Sequence, residues 1–225
     1  MSLARSRFRR FMFNYIIYRK HCQYVQNSHK IRLKTGYTVS MFSHPQHNIE
    51  QLGISDGAVV ADLGAGSGFY ALAAARAVAP TGRVYAIDAQ RDLMERLKKE
   101  AQRLHLRNIE VLSGDLERLG GSKIRESSCD VAIASNVLFM VEDKKSFLLE
   151  ARRILKPSGR LLLVDWTASF SGMGPHADHV VYKEDAMKLA LAAGFAFDRE
   201  IHAGAHHYGI IFRKSRPLLP LDSNF

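Results

Sequence analysis

Short apolar runs alternate with amphipathic stretches along most of the chain, and residues typical of turns separate them. The runs are about five residues long and rich in Val, Ile, Leu and Ala, which is typical of buried strands. They predict five strands, at about 58–62, 83–87, 109–113, 130–134 and 160–164. Apolar residues at helical spacing predict helices between them, at about 69–79, 91–106 and 143–155. This alternation predicts an α/β fold with a doubly wound, mostly parallel sheet.

The C-terminal part of the chain changes this pattern. It predicts a helix at about 183–193 and then two strands, at about 195–202 and 206–213. The loop that joins these two strands, 203–205, is too short for a crossover, so they must pair antiparallel. The sequence therefore predicts a seven-stranded, mostly parallel sheet with an antiparallel C-terminal strand.

The composition is that of an ordinary globular domain, with 47% apolar and 24% charged residues among 225. No apolar run approaches the roughly 18 residues that a transmembrane helix needs. Cys22 and Cys129 lie far apart and form no pair with metal-binding spacing. Such sparse cysteine usage is typical of a reducing compartment, and we expect a cytoplasmic protein without a disulfide framework.

The net charge of +10 is concentrated near the N-terminus. Residues 1–49 contain nine Lys or Arg and no acid, which leaves 23 basic and 22 acidic residues in the remainder. We interpret 1–40 as a basic, aromatic extension, 41–215 as the main domain and 216–225 as a tail. The basic residues of 5–34 are consistent with contact to RNA or to an anionic membrane, with organelle targeting, or with a helix packed on the domain.

The segment around which the chain is organised runs from Val59 to Phe69, with the sequence VVADLGAGSGF. An apolar run ends at Asp62, and glycines follow at positions 64, 66 and 68 before a helix-forming stretch. Alternate glycines leave the loop without side chains, so a ligand can approach the backbone closely. A strand, a glycine loop and a helix N-terminus together indicate a nucleotide-like cofactor.

The form D-L-G-A-G-S-G resembles motif I of the class I S-adenosylmethionine-dependent methyltransferases. The resemblance extends over about 42–213, because acids also end the second strand, at Asp88, and follow the third, at Asp115. The antiparallel C-terminal pair resembles the same family, whose last strand inserts between two earlier ones. A dinucleotide-dependent dehydrogenase would explain the glycine loop and Asp88 but not this ending. The resemblance implies a Rossmann-like fold and S-adenosyl-L-methionine as cofactor.

The resemblance also implies roles for individual residues at the strand ends. Asp88 is expected to accept hydrogen bonds from the two ribose hydroxyls, Asp115 to meet the adenine amine, and Asp62 to lie near the amino group of the methionine moiety. The Ser135–Asn136 turn is expected beside the transferred methyl group. The full set of expected cofactor-binding residues is Asp62, Gly64, Ala65, Gly66, Gly68, Asp88, Ala89, Asp115, Leu116, Ser135 and Asn136.

Methyl transfer from a sulfonium needs alignment more than acid–base groups, and the sequence contains no recognisable catalytic triad. The catalytic residues are therefore unassigned, with Asp165, His176, His179 and His207 as candidates because they follow the fifth strand or lie in the closing hairpin. A histidine there would serve as a base for a substrate hydroxyl. His-x-x-His at 176 and 179 lacks a clear third ligand, so we expect no metal site.

The turn after the fourth strand reads Ser-Asn-Val-Leu and lacks the N/D-P-P-Y/F motif of enzymes that methylate adenine or glutamine amino groups. The chain resembles instead the type-11 group, with its quinone-type and arsenite-type small-molecule methyltransferases. The arsenite branch uses several cysteines, and this chain has two. We therefore expect an unidentified small-molecule acceptor. The alternatives are an RNA- or ribosome-associated methyltransferase that uses the basic arm, and a cofactor-binding protein without turnover.

Overall fold

The computed structural model describes residues 43–170 and 174–215, together with two short strands, β1 (Ile31–Arg32) and β2 (Thr38–Val39), which pair antiparallel. Most of the predicted extension 1–40 and the predicted tail 216–225 lie outside the described residues. The proposed division into an extension, a domain and a tail therefore stays a prediction.

Strands and helices alternate through the described part of the chain, as the apolar pattern predicts. The strands are β3 (Val59–Leu63), β4 (Arg83–Asp88), β5 (Ile109–Ser113), β6 (Cys129–Ser135), β7 (Leu155–Trp166), β8 (Phe195–Ile201) and β9 (His207–Lys214). The α-helices are α1 (Pro45–Leu52), α2 (Phe69–Ala77), α3 (Arg91–Arg103), α4 (Lys144–Ile154) and α5 (Lys183–Ala192). A 3-10 turn spans Ala177–His179. None of the described helices is both long enough and apolar enough to cross a membrane.

The large sheet has the strand order β5-β4-β3-β6-β7-β9-β8. Strands β3 to β7 pair parallel with one another, whereas β9 pairs antiparallel with both β7 and β8. The predicted seven-stranded, mostly parallel sheet with an antiparallel C-terminal strand is confirmed. Because β4 and β5 lie on one side of β3 and β6 on the other, the strand order reverses between β3 and β6. Open α/β sheets bind ligands at the carboxyl ends of the strands beside such a point.

The sheet is covered on both faces, and most residues of its central strands are buried. One apolar cluster joins α4 and α5 to one face, and a second joins α1, α2 and α3 to the other. Helix α2 has the sequence FYALAAARA, and six of its residues are buried. Its small alanine side chains allow the helix to pack closely on the sheet, which brings its N-terminus to the end of β3.

Two element boundaries differ from the prediction. Helix α3 ends at Arg103 and not near residue 106, because His105 adopts the left-handed conformation with φ 57°. Strand β7 begins at Leu155, five residues before the predicted start, since Leu155 pairs with Cys129. The segment Pro157-Ser158-Gly159, whose composition is typical of a turn, lies within β7, where its pairing with β6 is irregular.

No helix connects β5 to β6 in this described stretch, and the side chain of Glu150 on α4 organises the loop there. Its buried carboxylate accepts hydrogen bonds from the backbone N–H groups of Gly120 and Ser122, at 2.7 and 3.1 Å, and pairs with Arg153 at 2.8 Å. Burial alone would raise the pKa of Glu150, but these donors hold it down at about 2. The loop is thus anchored to α4 by a carboxylate that is charged at neutral pH.

Candidate active site

The three glycines after β3 have a backbone conformation that other residues adopt only with strain. Gly64, Gly66 and Gly68 have φ of 77°, 52° and 81°, all in the left-handed region. A Cβ on Gly64 would lie 2.5 Å from Cγ2 of Val137, and one on Gly68 would lie 2.2 Å from Cδ1 of Leu97. Gly68 therefore allows the loop to pack on α3, a contact that the spacing of the glycines did not reveal.

The N–H groups of this loop are largely used inside the protein. Gly64 and Ala65 both donate to the carbonyl oxygen of Ile87 at 2.9 Å, and Gly66 donates to Oδ2 of Asp88 at 3.0 Å. The loop is thereby fastened to the end of β4. It does not present these donors to a diphosphate, as the glycine loop of a dinucleotide-binding site does.

Asp88 ends β4 with a carboxylate that is 9% exposed. Besides Gly66, it accepts a hydrogen bond from the N–H of Gln90, at 2.9 Å to Oδ1. Burial raises the pKa of Asp88, and the N–H groups of Gln90, Gly66 and Ala89 oppose that rise. Each carboxylate oxygen has a second lone pair, so acceptor capacity is left for a ligand.

Asp62 is more deeply buried, at 2% exposure, and is the penultimate residue of β3 before the loop. Its Oδ2 has no hydrogen-bond partner among the described residues. Burial raises the pKa of Asp62 to about 7, and the charge of Asp88 adds a smaller rise. A hydrogen bond from the N–H of Ala71 in α2 opposes both. A buried carboxyl with an empty acceptor site is costly unless a ligand supplies a donor.

The turn after β6 lies on the other side of the switch point. Asn136 adopts φ 54°, and its side-chain oxygen is buried without a partner among the described residues. The Ser135 hydroxyl makes no bond of standard geometry. Burial raises the pKa of the Tyr70 phenol, and the nearby Ser135 hydroxyl opposes that rise. Two more polar atoms without protein partners thus lie at the carboxyl end of the central strand β6.

Asp115 and Leu116 follow β5 at the same edge of the sheet. The Asp115 side chain is exposed, and its Oδ1 accepts the N–H of Glu117 at 3.1 Å. Leu116 is buried at 8% exposure. A polar group at the rim next to an apolar one is an arrangement that suits an adenine ring with its exocyclic amine.

The candidate catalytic residues are one buried carboxylate, Asp165, and three histidines. Asp165 is buried, and its carboxylate accepts the N–H groups of Leu138, at 3.1 Å, and Trp166, at 2.8 Å. Burial raises its pKa to about 7, and these N–H groups oppose the rise. Because one of its bonds reaches Leu138, Asp165 fixes the turn after β6 to the end of β7.

The three histidine candidates lie after the carboxyl end of β7 or pair with it. His176 is exposed and lies 3.2 Å from the exposed carboxylate of Asp178, whereas His179 ends the neighbouring 3-10 turn. His207 is buried, with its ring 4.3 Å from the centre of the Trp166 ring. No group of three or more His, Cys, Asp or Glu in the described ranges has the proximity that a metal ion requires.

The structure also brings together three polar residues to which the sequence assigned no role. Tyr70 Oη lies 2.6 Å from Ser43 Oγ and 2.7 Å from Asn48 Nδ2. Asn48 is fully buried on α1, beside Ile49 and Leu52 on the same inner face. An asparagine at an apolar position of a helix is the signal that would have revealed this cluster.

Residues 54–197 match a family model described as "Methyltransferase domain". The chain is 33% identical over 114 residues to an arsenite methyltransferase of Aquipseudomonas alcaligenes, covering 49% of this chain and 33% of that protein. It is also 33% identical over 122 residues to a 2-phytyl-1,4-naphtoquinone methyltransferase of Trichormus variabilis, covering 52% and 51% respectively.

Among solved structures, a SAM-dependent methyltransferase from Aquifex aeolicus superposes with a TM-score of 0.71 at 24% identity. The similarity covers 77% of this chain and 91% of that one, and shows a shared fold. The chain spans about half or less of the length of the curated relatives it matches.

The glycine loop generates a prediction with a matched control. Gly68→Ala and Gly120→Ala both place a Cβ on a residue with φ near 80°, but only the Cβ at position 68 would overlap Leu97, since the Cβ at position 120 would have no atom within 4 Å. We expect Gly120→Ala to lower the free energy of unfolding by about 1 kcal/mol. Gly68→Ala should lower it by about 2–4 kcal/mol, because overpacking adds to the strain. Urea denaturation measures both, and equal losses would contradict the packing role of Gly68.

Proposed function

The chain belongs to the methyltransferase-domain family, and from that premise we propose that it transfers a methyl group from S-adenosylmethionine to a small-molecule acceptor. The observation that carries the proposal is the set of acceptor atoms at the carboxyl ends of β3, β4 and β6, which surround a glycine loop whose own donors are largely bonded within the protein. This pattern favours a ligand rich in donors over a dinucleotide.

The residues present fit S-adenosylmethionine part by part. The Asp88 carboxylate retains lone pairs for the ribose hydroxyls, and exposed Asp115 is free to accept the adenine amine above buried Leu116. Buried Asp62 has an unpartnered oxygen for an ammonium group. Gly66, with neighbouring Ala65, allows the ligand to lie against the backbone, whereas the space beside Gly64 is taken by Val137.

The cofactor, when bound, supplies a methyl group on a sulfonium, an electrophile that needs little proton transfer. The chain's own contribution is alignment and a site that excludes water. Asp165 fixes the turn that carries Ser135 and Asn136, so that their unpartnered polar atoms face a defined position. We place the acceptor beside this turn, where His207 and Trp166 form the neighbouring buried wall.

A small-molecule acceptor is supported by the near-neutral charge outside the N-terminal arm and by the absence of the N/D-P-P-Y/F motif. Between the arsenite-type and quinone-type chemistries, we favour an organic acceptor. Cys129 is buried, and burial raises its thiol pKa to about 11, so it is a poor thiolate ligand for a metalloid. The proposed compartment is the cytoplasm, because cysteine usage is sparse.

A labelling experiment tests the acceptor class. The purified protein is incubated with cell extract and S-adenosylmethionine carrying a tritiated methyl group, and the extract is separated into metabolite, RNA and protein fractions. We expect the label in the metabolite fraction, with a yield insensitive to salt. A sample without the added protein supplies the background. Label in RNA that falls steeply with salt would contradict the proposal and support the alternative that uses the basic arm.

A substitution tests the cofactor site. Asp88→Ala removes charge-assisted hydrogen bonds to the ribose, so we expect S-adenosylhomocysteine binding to weaken by about 1.5–3 kcal/mol, or roughly tenfold to over a hundredfold. Because the carboxylate also holds Gly66, the thermal midpoint should fall by a few degrees, about 2–4 °C per kcal/mol. Asp56→Ala, at an exposed turn, is the matched control. A dissociation constant unchanged in calorimetry would assign Asp88 to the loop alone.

A further inference from the structure

The Tyr70 hydroxyl joins helix α1 to the glycine loop through a closed triangle of hydrogen bonds. It lies 2.6 Å from Ser43 Oγ and 2.7 Å from Asn48 Nδ2, and these two atoms are 3.0 Å apart. Tyr70 is the second residue of α2, directly after the loop, whereas Ser43 and Asn48 flank the start of α1. The N-terminal end of α1 is thereby fixed to the point where the loop ends.

Counting protons determines how the Asn48 amide is oriented. Three contacts need three protons, and the amide nitrogen supplies two while one hydroxyl supplies the third. The reversed amide would leave two hydroxyl protons for three contacts. The nitrogen therefore faces Tyr70 and Ser43, and Oδ1 of Asn48 is left buried without a partner among the described residues.

The triangle lies next to the carboxylate assigned above to the cofactor. The Asp62 charge acts on the Tyr70 phenol, and burial is the largest cause that raises the pKa of Tyr70. Tyr70 therefore stays neutral and serves as a hydrogen-bonding group. Asn48 Oδ1 and Asp62 Oδ2 are both buried atoms that only accept, unless Asp62 is protonated, and neither has a partner in the described part of the chain. A group that carries several N–H donors and a positive charge satisfies both.

The other end of α1 is anchored independently of Tyr70. Arg160 on β7 donates to the carbonyl oxygen of Leu52 at 2.6 Å, and Gln51 exchanges two hydrogen bonds of 3.0 Å with the backbone of His202. The C-terminal end of α1 is thus held to β7 and to the residue that follows β8. Loss of the triangle would release the N-terminal end alone, the end beside the glycine loop.

We infer that Ser43, Asn48 and Tyr70 are positioning residues that hold α1 as the wall beside the amino-acid end of the cofactor, with Asn48 Oδ1 and Asp62 as joint acceptors of its ammonium group. The inference rests on the proposed function. It assigns specificity for the amino-acid moiety to α1, whereas recognition of the adenosine lies with Asp88 and Asp115. A change in the triangle should therefore affect one half of the ligand and spare the other.

The test compares two ligands that differ only in that half. S-adenosylhomocysteine carries the amino-acid moiety, and 5′-methylthioadenosine lacks it. We expect Tyr70→Phe to raise the dissociation constant of S-adenosylhomocysteine about tenfold and that of 5′-methylthioadenosine less than twofold, as measured by calorimetry. Tyr85→Phe, which removes the hydroxyl of a half-buried tyrosine that packs on the opposite face of the sheet, is the matched control and should change neither.

Ser43→Ala gives a second, milder variant in case Tyr70→Phe does not fold. It removes one corner of the triangle at a half-buried position and should weaken the binding of S-adenosylhomocysteine about threefold, again without affecting that of 5′-methylthioadenosine.

Equal weakening of the binding of both ligands, or no change in either, would overturn the inference, because the triangle would then serve stability alone. If the unmodified chain bound 5′-methylthioadenosine as tightly as S-adenosylhomocysteine, the inference about α1 would be wrong, whereas the proposed binding of the adenosine moiety would still hold. Failure to bind either ligand would overturn the proposed function, and the inference with it.

Discussion

The hydrogen bond from Gly66 N–H to the Asp88 carboxylate is the interaction on which the candidate site depends, because it joins the loop after β3 to the end of β4. The loop reaches this position through three residues in the left-handed region, a conformation that favours glycine. The same turn brings Gly64 against Val137 and Gly68 against Leu97. One backbone conformation therefore positions β3, β4, α3 and the turn after β6 around the loop.

Because most of the loop's donors are bonded inside the protein, the unpartnered polar atoms around it are mainly acceptors. Asp62, Asn48 and Asn136 each have a buried oxygen without a partner among the described residues. The free energy lost by desolvating such atoms is recovered when a ligand supplies donors. A sulfonium cofactor with an ammonium group, a ribose diol and an adenine amine is complementary to this arrangement in both charge and hydrogen bonding.

The sequence was sufficient for the features that arise from local pattern. Strands buried on both faces have continuous apolar sequences, and the alternate glycines after one of these strands predict the loop.

Features that depend on tertiary contacts were not predictable from the sequence. Glu150 fixes a loop 28 residues away in the chain, at Ser122, and Tyr70 meets Ser43 across 27 residues. The early start of β7 was missed because Pro157-Ser158-Gly159 is typical of a turn, and only the pairing of Leu155 with Cys129 shows otherwise. The cofactor-binding roles of the strand-end residues, including Asp88 and Asp115, stay predictions whose positions in the fold are consistent with them.

The central claim is that this loop and its acceptors select S-adenosylmethionine over a dinucleotide. Isothermal titration of the full chain with S-adenosylhomocysteine and, separately, with NAD tests it most directly. The account predicts one saturable site for S-adenosylhomocysteine and no measurable heat with NAD under the same conditions. Saturable binding of NAD together with no binding of S-adenosylhomocysteine would contradict it.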